Sequence, residues 1–193
     1  MRRVLTLLLA GVLLLAGCTS GRNAGDSGTS DKRFVAAEGT SEVFDPADRR
    51  AAPKVTGELL DGGSFDLADL RGDVVVLNYW ASWCAPCRLE APELRKVADE
   101  YADQGVQFVG INIRDEKDKA RAFEESFGIE YPSVFDPAGR IALKFRDVPP
   151  NTIPATIVID RRGRVAAVFR KAVLAEELEP VVRDIATEKT SEK

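Results

Sequence analysis

The sequence contains no histidine and only three cysteines, Cys18, Cys84 and Cys87. Without histidine, a Ser-His-Asp triad, a Cys-His protease and a His-ligated metal site are all excluded. Acid-base work must therefore be done by carboxylates, thiols or water. A structural zinc site needs four ligands, and the chain has no second cysteine pair to complete one. We therefore expect no bound metal and no cofactor.

Positive charge is also in short supply. The 193 residues include 27 Lys and Arg against 31 Asp and Glu, which gives a formal net charge of −4. Loss of Arg2 and Arg3 with a cleaved leader would change this from −4 to −6, which argues against nucleic acid as a partner. The hydrophobic content of 45% is enough for one domain with its own core.

The N-terminus has the features of a secretion signal. A basic start, Met1-Arg2-Arg3, precedes the apolar run Val4 to Ala16, which is too short to span a bilayer comfortably. The run ends in Leu15-Ala16-Gly17-Cys18, which resembles a bacterial lipobox, in which the cysteine is lipidated and becomes the new N-terminus. We expect residues 1–17 to be removed and Cys18 to anchor the protein on the outer face of the membrane. The alternative is an ordinary cleavable signal that contains a cysteine.

The next segment, residues 18–50, is rich in Gly, Ser, Asp and Ala and shows no apolar period. Such a composition cannot bury enough surface to order itself, so we predict a flexible tether. As a coil of about thirty residues it would reach on the order of 30 Å. The folded domain is then expected over residues 51–190.

An apolar run, Val74 to Tyr79, opens into Trp83-Cys84-Ala85-Pro86-Cys87. We expect a buried strand followed by a helix that starts at Cys87, with Cys84 at the N-terminal edge of the helix. The two sulfurs can then close a small disulfide ring, and free backbone N–H groups stabilise the Cys84 thiolate. The pattern predicts a redox pair in which Cys84 attacks. A structural disulfide is the alternative.

Apolar spacing along the rest of the chain predicts an α/β domain. A hairpin around Asp61-Gly62-Gly63 is expected before the central strand, and a second hairpin is expected around Arg161-Arg162-Gly163. The predicted elements after the dithiol are a helix to Tyr101, a strand at Phe108–Ile113, a helix at Asp115–Phe127, a strand at Tyr131–Phe135 and a last helix from Leu174 to Ile185.

Three segments, NYWASWCAPCRLEAPEL, GGSFDLADLRGDVVVL and TIPATIVID, together resemble the TlpA/ResA-type thiol-disulfide oxidoreductases. These are membrane-tethered members of the thioredoxin superfamily, and the resemblance covers about Thr56 to Ile185. It implies a thioredoxin-like fold, with a central mixed sheet, helices on both faces and an N-terminal hairpin extension. It also implies that the enzyme runs as a disulfide reductase.

The residues around the cysteines also have expected roles. Trp83 is expected to cover the dithiol and to offer a contact surface to partner proteins, whereas Trp80 is expected in the core. Ala85 and Pro86 lie between the cysteines and are expected to tune the stability of the thiolate, since Pro86 removes a donor at the start of the helix.

Asn78 stands where cytoplasmic thioredoxins carry a buried aspartate that assists proton transfer. Glu90 lies one helical turn after Cys87, where ResA-type proteins carry a functional glutamate, and is expected to replace that carboxylate. The alternative is an exposed acid near a helix N-terminus. The resemblance also implies a cis bond between Ile153 and Pro154, facing the dithiol, with the Ile153 backbone free to pair with an extended substrate peptide.

The predicted function is that of an extracytoplasmic reductase that acts on protein disulfides and receives electrons from a membrane donor. The resemblance suggests apocytochrome c, whose CxxCH thiols must be reduced before haem attachment, or its direct partner as the substrate. General disulfide reduction at the cell surface is the first alternative. A thiol peroxidase and a metal-binding or scaffold module are further alternatives, and the absence of histidine argues against a copper carrier.

Overall fold

The computed structural model describes residues 40–146, 148 and 152–188, which form a mixed α/β domain. Cys18 lies outside this range. The strands are β1 Ser41–Val43, β2 Thr56–Glu58, β3 Ser64–Asp66, β4 Val74–Trp80, β5 Val106–Ile113, β6 Ser133–Asp136, β7 Ala155–Ile159 and β8 Val165–Phe169. The α-helices are α1 Ala85–Tyr101, α2 Lys117–Phe127 and α3 Ala175–Thr187, and short 3-10 helices occupy Leu67–Leu70, Ala102–Gln104 and Ala142–Lys144.

A six-stranded mixed sheet forms the centre of the domain, in the order β1-β8-β7-β4-β5-β6. Strands β4, β5 and β6 run parallel, whereas β7, β8 and β1 alternate in direction from β4 outward. The parallel connections carry α1 and α2, as crossover connections between parallel strands require. Strands β2 and β3 form a separate antiparallel pair, which confirms the hairpin predicted before the central strand.

Every residue of β4 is buried, because both faces of this strand are covered. On one face Leu77 and Tyr79 pack with the residues that follow β3 and with Phe145. On the other face Val76 lies in a cluster with apolar residues of α1 and α3. The dithiol follows the C-terminal end of this doubly covered strand, so its position is fixed by a fully buried strand.

Two helical segments, α2 and the 3-10 turn after α1, end at a glycine in the left-handed conformation. Helix α2 ends at Gly128, with φ of 62°, whose N–H donates to carbonyls of the last helical turn. Gly105, with φ of 68°, ends the 3-10 turn after α1. Pro180 lies inside α3 without ending the helix. It lies beyond the first turn, so its missing N–H removes one i→i−4 hydrogen bond, and burial of the apolar face of α3 in the core offsets this cost.

The folded domain begins earlier than the composition predicted. Ser41–Val43, within the segment expected to be a tether, pairs with β8 as an edge strand, and Arg49 is buried. A three-residue strand has no detectable period, and its pairing partner lies more than 120 residues away, so composition alone placed the boundary too late. Because β1 is antiparallel to β8, the chain enters the sheet at the end that carries the dithiol.

No helix in residues 40–146, 148 and 152–188 is long and apolar enough to cross a bilayer.

Candidate active site

Cys84 and Cys87 form a disulfide, with an S–S distance of 2.04 Å and Cα atoms 5.3 Å apart. Both residues are buried, and they belong to a cluster that includes Trp80 and Phe123. Phe123, from α2, stacks on Trp80 with ring centroids 4.5 Å apart. The prediction that Trp80 lies in the core is confirmed, since only 4% of its surface is exposed.

Helix α1 starts two residues earlier than predicted, at Ala85 rather than Cys87. Cys84 is therefore the N-cap, and its Sγ accepts a hydrogen bond from the Cys87 N–H at 3.2 Å. Pro86 lies in the first turn, where a missing N–H removes no helical hydrogen bond, so the helix can include it. Once the disulfide is reduced, a sulfur at this N-cap faces the positive end of the helix dipole, which favours its thiolate.

Trp83 is the exposed aromatic side chain of the site, with 57% of its surface accessible. Its indole Nε1–H donates to the carbonyl of Arg114 at 2.8 Å, so the ring is held at the surface by a fixed backbone acceptor. An exposed indole beside a buried disulfide provides a flat apolar contact for an approaching chain.

The Ile153–Pro154 bond is cis, as predicted. Pro154 immediately precedes β7, whose first residue, Ala155, pairs with Tyr79 at the C-terminal end of β4. Ile153 packs against the cluster that contains the two cysteines. The sheet register thus brings this loop and the dithiol to the same place.

Glu90 is buried, with 1% of its surface exposed, so the alternative of an exposed helix-terminal acid is wrong. Its Oε1 accepts a hydrogen bond from Asn78 Nδ2 at 2.8 Å, and its Oε2 accepts one from the Val173 N–H at 3.0 Å. Asn78 Nδ2 also donates to Thr156 Oγ1 at 3.1 Å. Asn78, which stands at the position of the thioredoxin aspartate, therefore contacts Glu90, the carboxylate expected to replace that aspartate.

Burial raises the pKa of Glu90 to about 7, although the hydrogen bonds from Asn78 and Val173 act in the opposite direction. A carboxyl group with this pKa can both accept and release a proton near neutral pH. It lies one helical turn from Cys87, the sulfur that must lose a proton when the disulfide closes.

Some residues of the site were not found from the sequence. Val173 lies 83 residues from Glu90 along the chain, and its contribution is a backbone N–H, which carries no sequence signal. Thr156 is a polar residue inside the apolar strand β7, a detectable anomaly. Ser82, next to Trp83, donates two hydrogen bonds to Asp115. The sequence pattern predicts Asp115 only as the first residue of a helix.

The sheet is thioredoxin-like, and the disulfide caps the helix that follows its central strand. A cis proline and a buried carboxyl group lie near the disulfide. These features together define a thiol-disulfide oxidoreductase. Comparison with known proteins agrees. The family model described as AhpC/TSA family matches residues 49–168, and the chain belongs to this thioredoxin-like family.

Among the relatives, the thiol-disulfide oxidoreductase ResA of Bacillus subtilis (strain 168) is 34% identical over 135 residues, which cover 70% of each chain. A DsbF homologue from Corynebacterium diphtheriae superposes with a TM-score of 0.73 at 38% identity, covering 78% of this chain and 97% of that one. A secreted thiol-disulfide isomerase from Corynebacterium glutamicum gives 0.75 at 36% identity, covering 80% and 97%. The protein is thus a thiol-disulfide oxidoreductase.

Proposed function

We propose that the enzyme is a lipid-anchored reductase on the outer face of a bacterial membrane, and that it reduces the CxxCH cysteines of apocytochrome c or of its direct partner. The observation that carries the chemistry is the buried Glu90, hydrogen-bonded to Asn78, one turn from a dithiol at a helix N-terminus. The similarity to ResA and to a secreted isomerase supports the class and the compartment.

The reaction proceeds in two exchanges. The Cys84 thiolate attacks one sulfur of the substrate disulfide, forming a mixed disulfide and releasing the other substrate sulfur as a thiolate that takes up a proton. Cys87 then transfers its proton to Glu90 and attacks the Cys84 sulfur, which releases the second substrate thiolate, and this thiolate takes up the proton that Glu90 gives back. The substrate gains two electrons and two protons, and the enzyme is left with the Cys84–Cys87 disulfide. A membrane electron donor returns the two electrons.

Trp83, Ile153 and Pro154 would contact the substrate chain. Trp83 supplies an exposed ring, and the Ile153 backbone can pair with an extended peptide without reading its sequence. Ala85 and Pro86 would set how strongly the helix N-terminus stabilises the thiolate, since they occupy its first turn.

Glu90→Gln tests the proton-transfer role. In the native protein, closure of the Cys84–Cys87 disulfide should accelerate as pH rises through about 7, because Glu90 accepts a proton only when ionised. In the pH–rate profile of Glu90→Gln, the rise in rate near pH 7 should be absent. Glu93→Gln is the matched control, since Glu93 lies on the same helix and also accepts a backbone N–H, from Ala175. Identical profiles for Glu90→Gln and the native protein would contradict the role.

The same variant has a signature in stability. Because the pKa of Glu90 is raised on folding, the native state binds more protons than the unfolded state between about pH 4.5 and 7. The contribution of Glu90 to the free energy of unfolding is fully present below about pH 4.5. It falls by on the order of 3 kcal/mol as pH rises to about 7. Urea unfolding at a series of pH values across this range should show that the free energy of unfolding falls with pH in the native protein and not in Glu90→Gln.

The substrate is tested by deleting the gene in the native host and staining for covalently bound haem. We expect c-type cytochromes to be lost and to return when a small-molecule thiol is added, because the thiol replaces the missing reductant. Normal cytochrome levels would instead favour general disulfide reduction.

Purified protein should reduce insulin disulfides and consume no peroxide; peroxide consumption would favour the peroxidase alternative.

The anchor is tested by Cys18→Ala. The native protein should fractionate with membranes and require detergent, because lipid chains on Cys18 would hold it there. The variant should be released in soluble form, while the purified domain keeps full insulin-reducing activity. Detergent-requiring association of the variant would contradict lipidation at this residue.

A further inference from the structure

Asp115 lies in the loop between β5 and α2 and accepts four hydrogen bonds. Its two oxygens receive the Ser82 N–H at 2.5 Å and the Ser82 hydroxyl at 2.8 Å. They also receive Asn112 Nδ2 at 3.0 Å and the Glu116 N–H at 2.9 Å. Burial raises the pKa of Asp115, but the hydrogen bonds from Ser82 and Asn112 outweigh it, so the pKa lies below its ordinary value. The acceptor is therefore ionised at neutral pH.

The residue before Asp115 also contacts the dithiol loop. Arg114 has a φ of 52°, a left-handed conformation that costs energy in a residue with a side chain. Its carbonyl accepts the Trp83 indole N–H at 2.8 Å. Two adjacent residues of one loop thus hold two adjacent residues, Ser82 and Trp83, that precede the attacking cysteine.

The loop that provides these acceptors has a rigid support. It joins β5, which pairs with β4 over seven residues, to α2, whose Phe123 stacks on Trp80 with ring centroids 4.5 Å apart. Strain at Arg114 persists only if its surroundings fix it, and the four bonds to Asp115 next to it do so.

We propose that Asp115 is a positioning residue that fixes Ser82 and Trp83 as a preformed platform for the protein substrate. This inference rests on the proposed role of Trp83 in substrate contact. A ring that is already immobile loses little conformational freedom when a substrate chain packs on it, so affinity for a protein is gained without altering the sulfur chemistry. The platform serves substrates large enough to reach Trp83 while Cys84 attacks.

The test compares a protein disulfide with small probes. Full-length Asp115→Ala, Asp115→Asn, Trp83→Ala and the native protein are assayed with insulin and with bis(2-hydroxyethyl) disulfide, and Cys84 is alkylated with iodoacetamide. For Asp115→Ala we expect KM for insulin to rise roughly tenfold, with the small-disulfide and alkylation rates within about twofold of native. Asp118→Ala is the control, because it removes an exposed acid from the first turn of α2.

A spectroscopic readout separates positioning from a general structural role. The Trp83 indole N–H, assigned by its loss in Trp83→Phe, should exchange with solvent faster in Asp115→Ala than in the native protein, because its acceptor carbonyl is no longer held. Asp115→Asn keeps the side-chain volume but turns an N–H toward one of the donors, and should shift KM and exchange in the same direction by less. If Asp115→Ala does not fold, the KM and exchange rate of Asp115→Asn test the positioning role.

Three results are decisive. Native insulin kinetics in Trp83→Ala would overturn the contact role of Trp83 and this inference with it. A raised KM in Trp83→Ala combined with native KM and exchange in both Asp115 variants would overturn the positioning role alone. An equal loss towards insulin and the small disulfide in the Asp115 variants would show that the residue acts on the sulfurs and not on the platform.

Discussion

Replacing Cys84 with serine is expected to lower disulfide reduction by on the order of a thousandfold or more, to the level without enzyme. A serine hydroxyl at this N-cap is not ionised near neutral pH, whereas the reduced Cys84 faces the helix N-terminus that favours its thiolate. The measurement is insulin reduction with a chemical reductant in excess.

Replacing Cys87 with serine should give a different failure. The variant can attack a disulfide through Cys84 but cannot resolve the product, so it should accumulate as a mixed disulfide with its substrate. Non-reducing mass spectrometry should find one bound partner per molecule, and captured proteins in the native host identify the substrate directly. Faster alkylation of Cys87 than of Cys84 in the reduced native protein would show that Cys84 is not the attacking sulfur.

Arg49→Met is expected to destabilise the fold by about 3 kcal/mol, although it lies far from the dithiol. The Arg49 side chain is 2% exposed and bonds to Asp160 at 3.3 Å and to Glu188 at 2.5 Å. Its removal leaves the buried Asp160 with Arg164 as its remaining charged partner and loses the tie to the end of α3. Urea unfolding monitored by tryptophan fluorescence measures the difference.

Arg50→Met is the matched control for this prediction. Arg50 is the next residue and is exposed, so the same change of side chain there should alter the free energy of unfolding by less than about 0.5 kcal/mol. Equal effects at the two positions would show that Arg49 contributes only surface charge. The expected contrast also tests the domain boundary, because a true tether would tolerate both substitutions.

The sequence predicted the parts of the fold that have local signals. The apolar run of β4 and the glycine that stops α2 have such signals and were predicted. Strand β1 has none, because Ser41–Val43 offers one apolar residue and is stabilised by a strand that follows it by more than 120 residues. Arg49 likewise becomes a buried ion-pair residue only through partners at positions 160 and 188.

The site shows the same division. The cysteine pair, the cis proline and the candidate glutamate follow from motif and resemblance. The environment of Glu90 does not, because its burial, which raises its pKa, depends on distant parts of the chain such as the segment before α3, whose Val173 N–H donates to the carboxylate and opposes that rise. The hydrogen bonds between Ser82 and Asp115 are equally long-range, since they join loops 33 residues apart.

The direction of β1 bears on how the enzyme would work at a surface. Thr40 accepts a hydrogen bond from the Arg170 N–H, next to the end of the sheet where Phe169 pairs with Thr156 and Thr156 with Asn78. If Cys18 is lipidated as we propose, the chain from the membrane would join the domain at the end that carries the dithiol. Such an attachment would keep the dithiol near the membrane and would raise its effective concentration for the membrane electron donor and the haem-attachment partner that we propose.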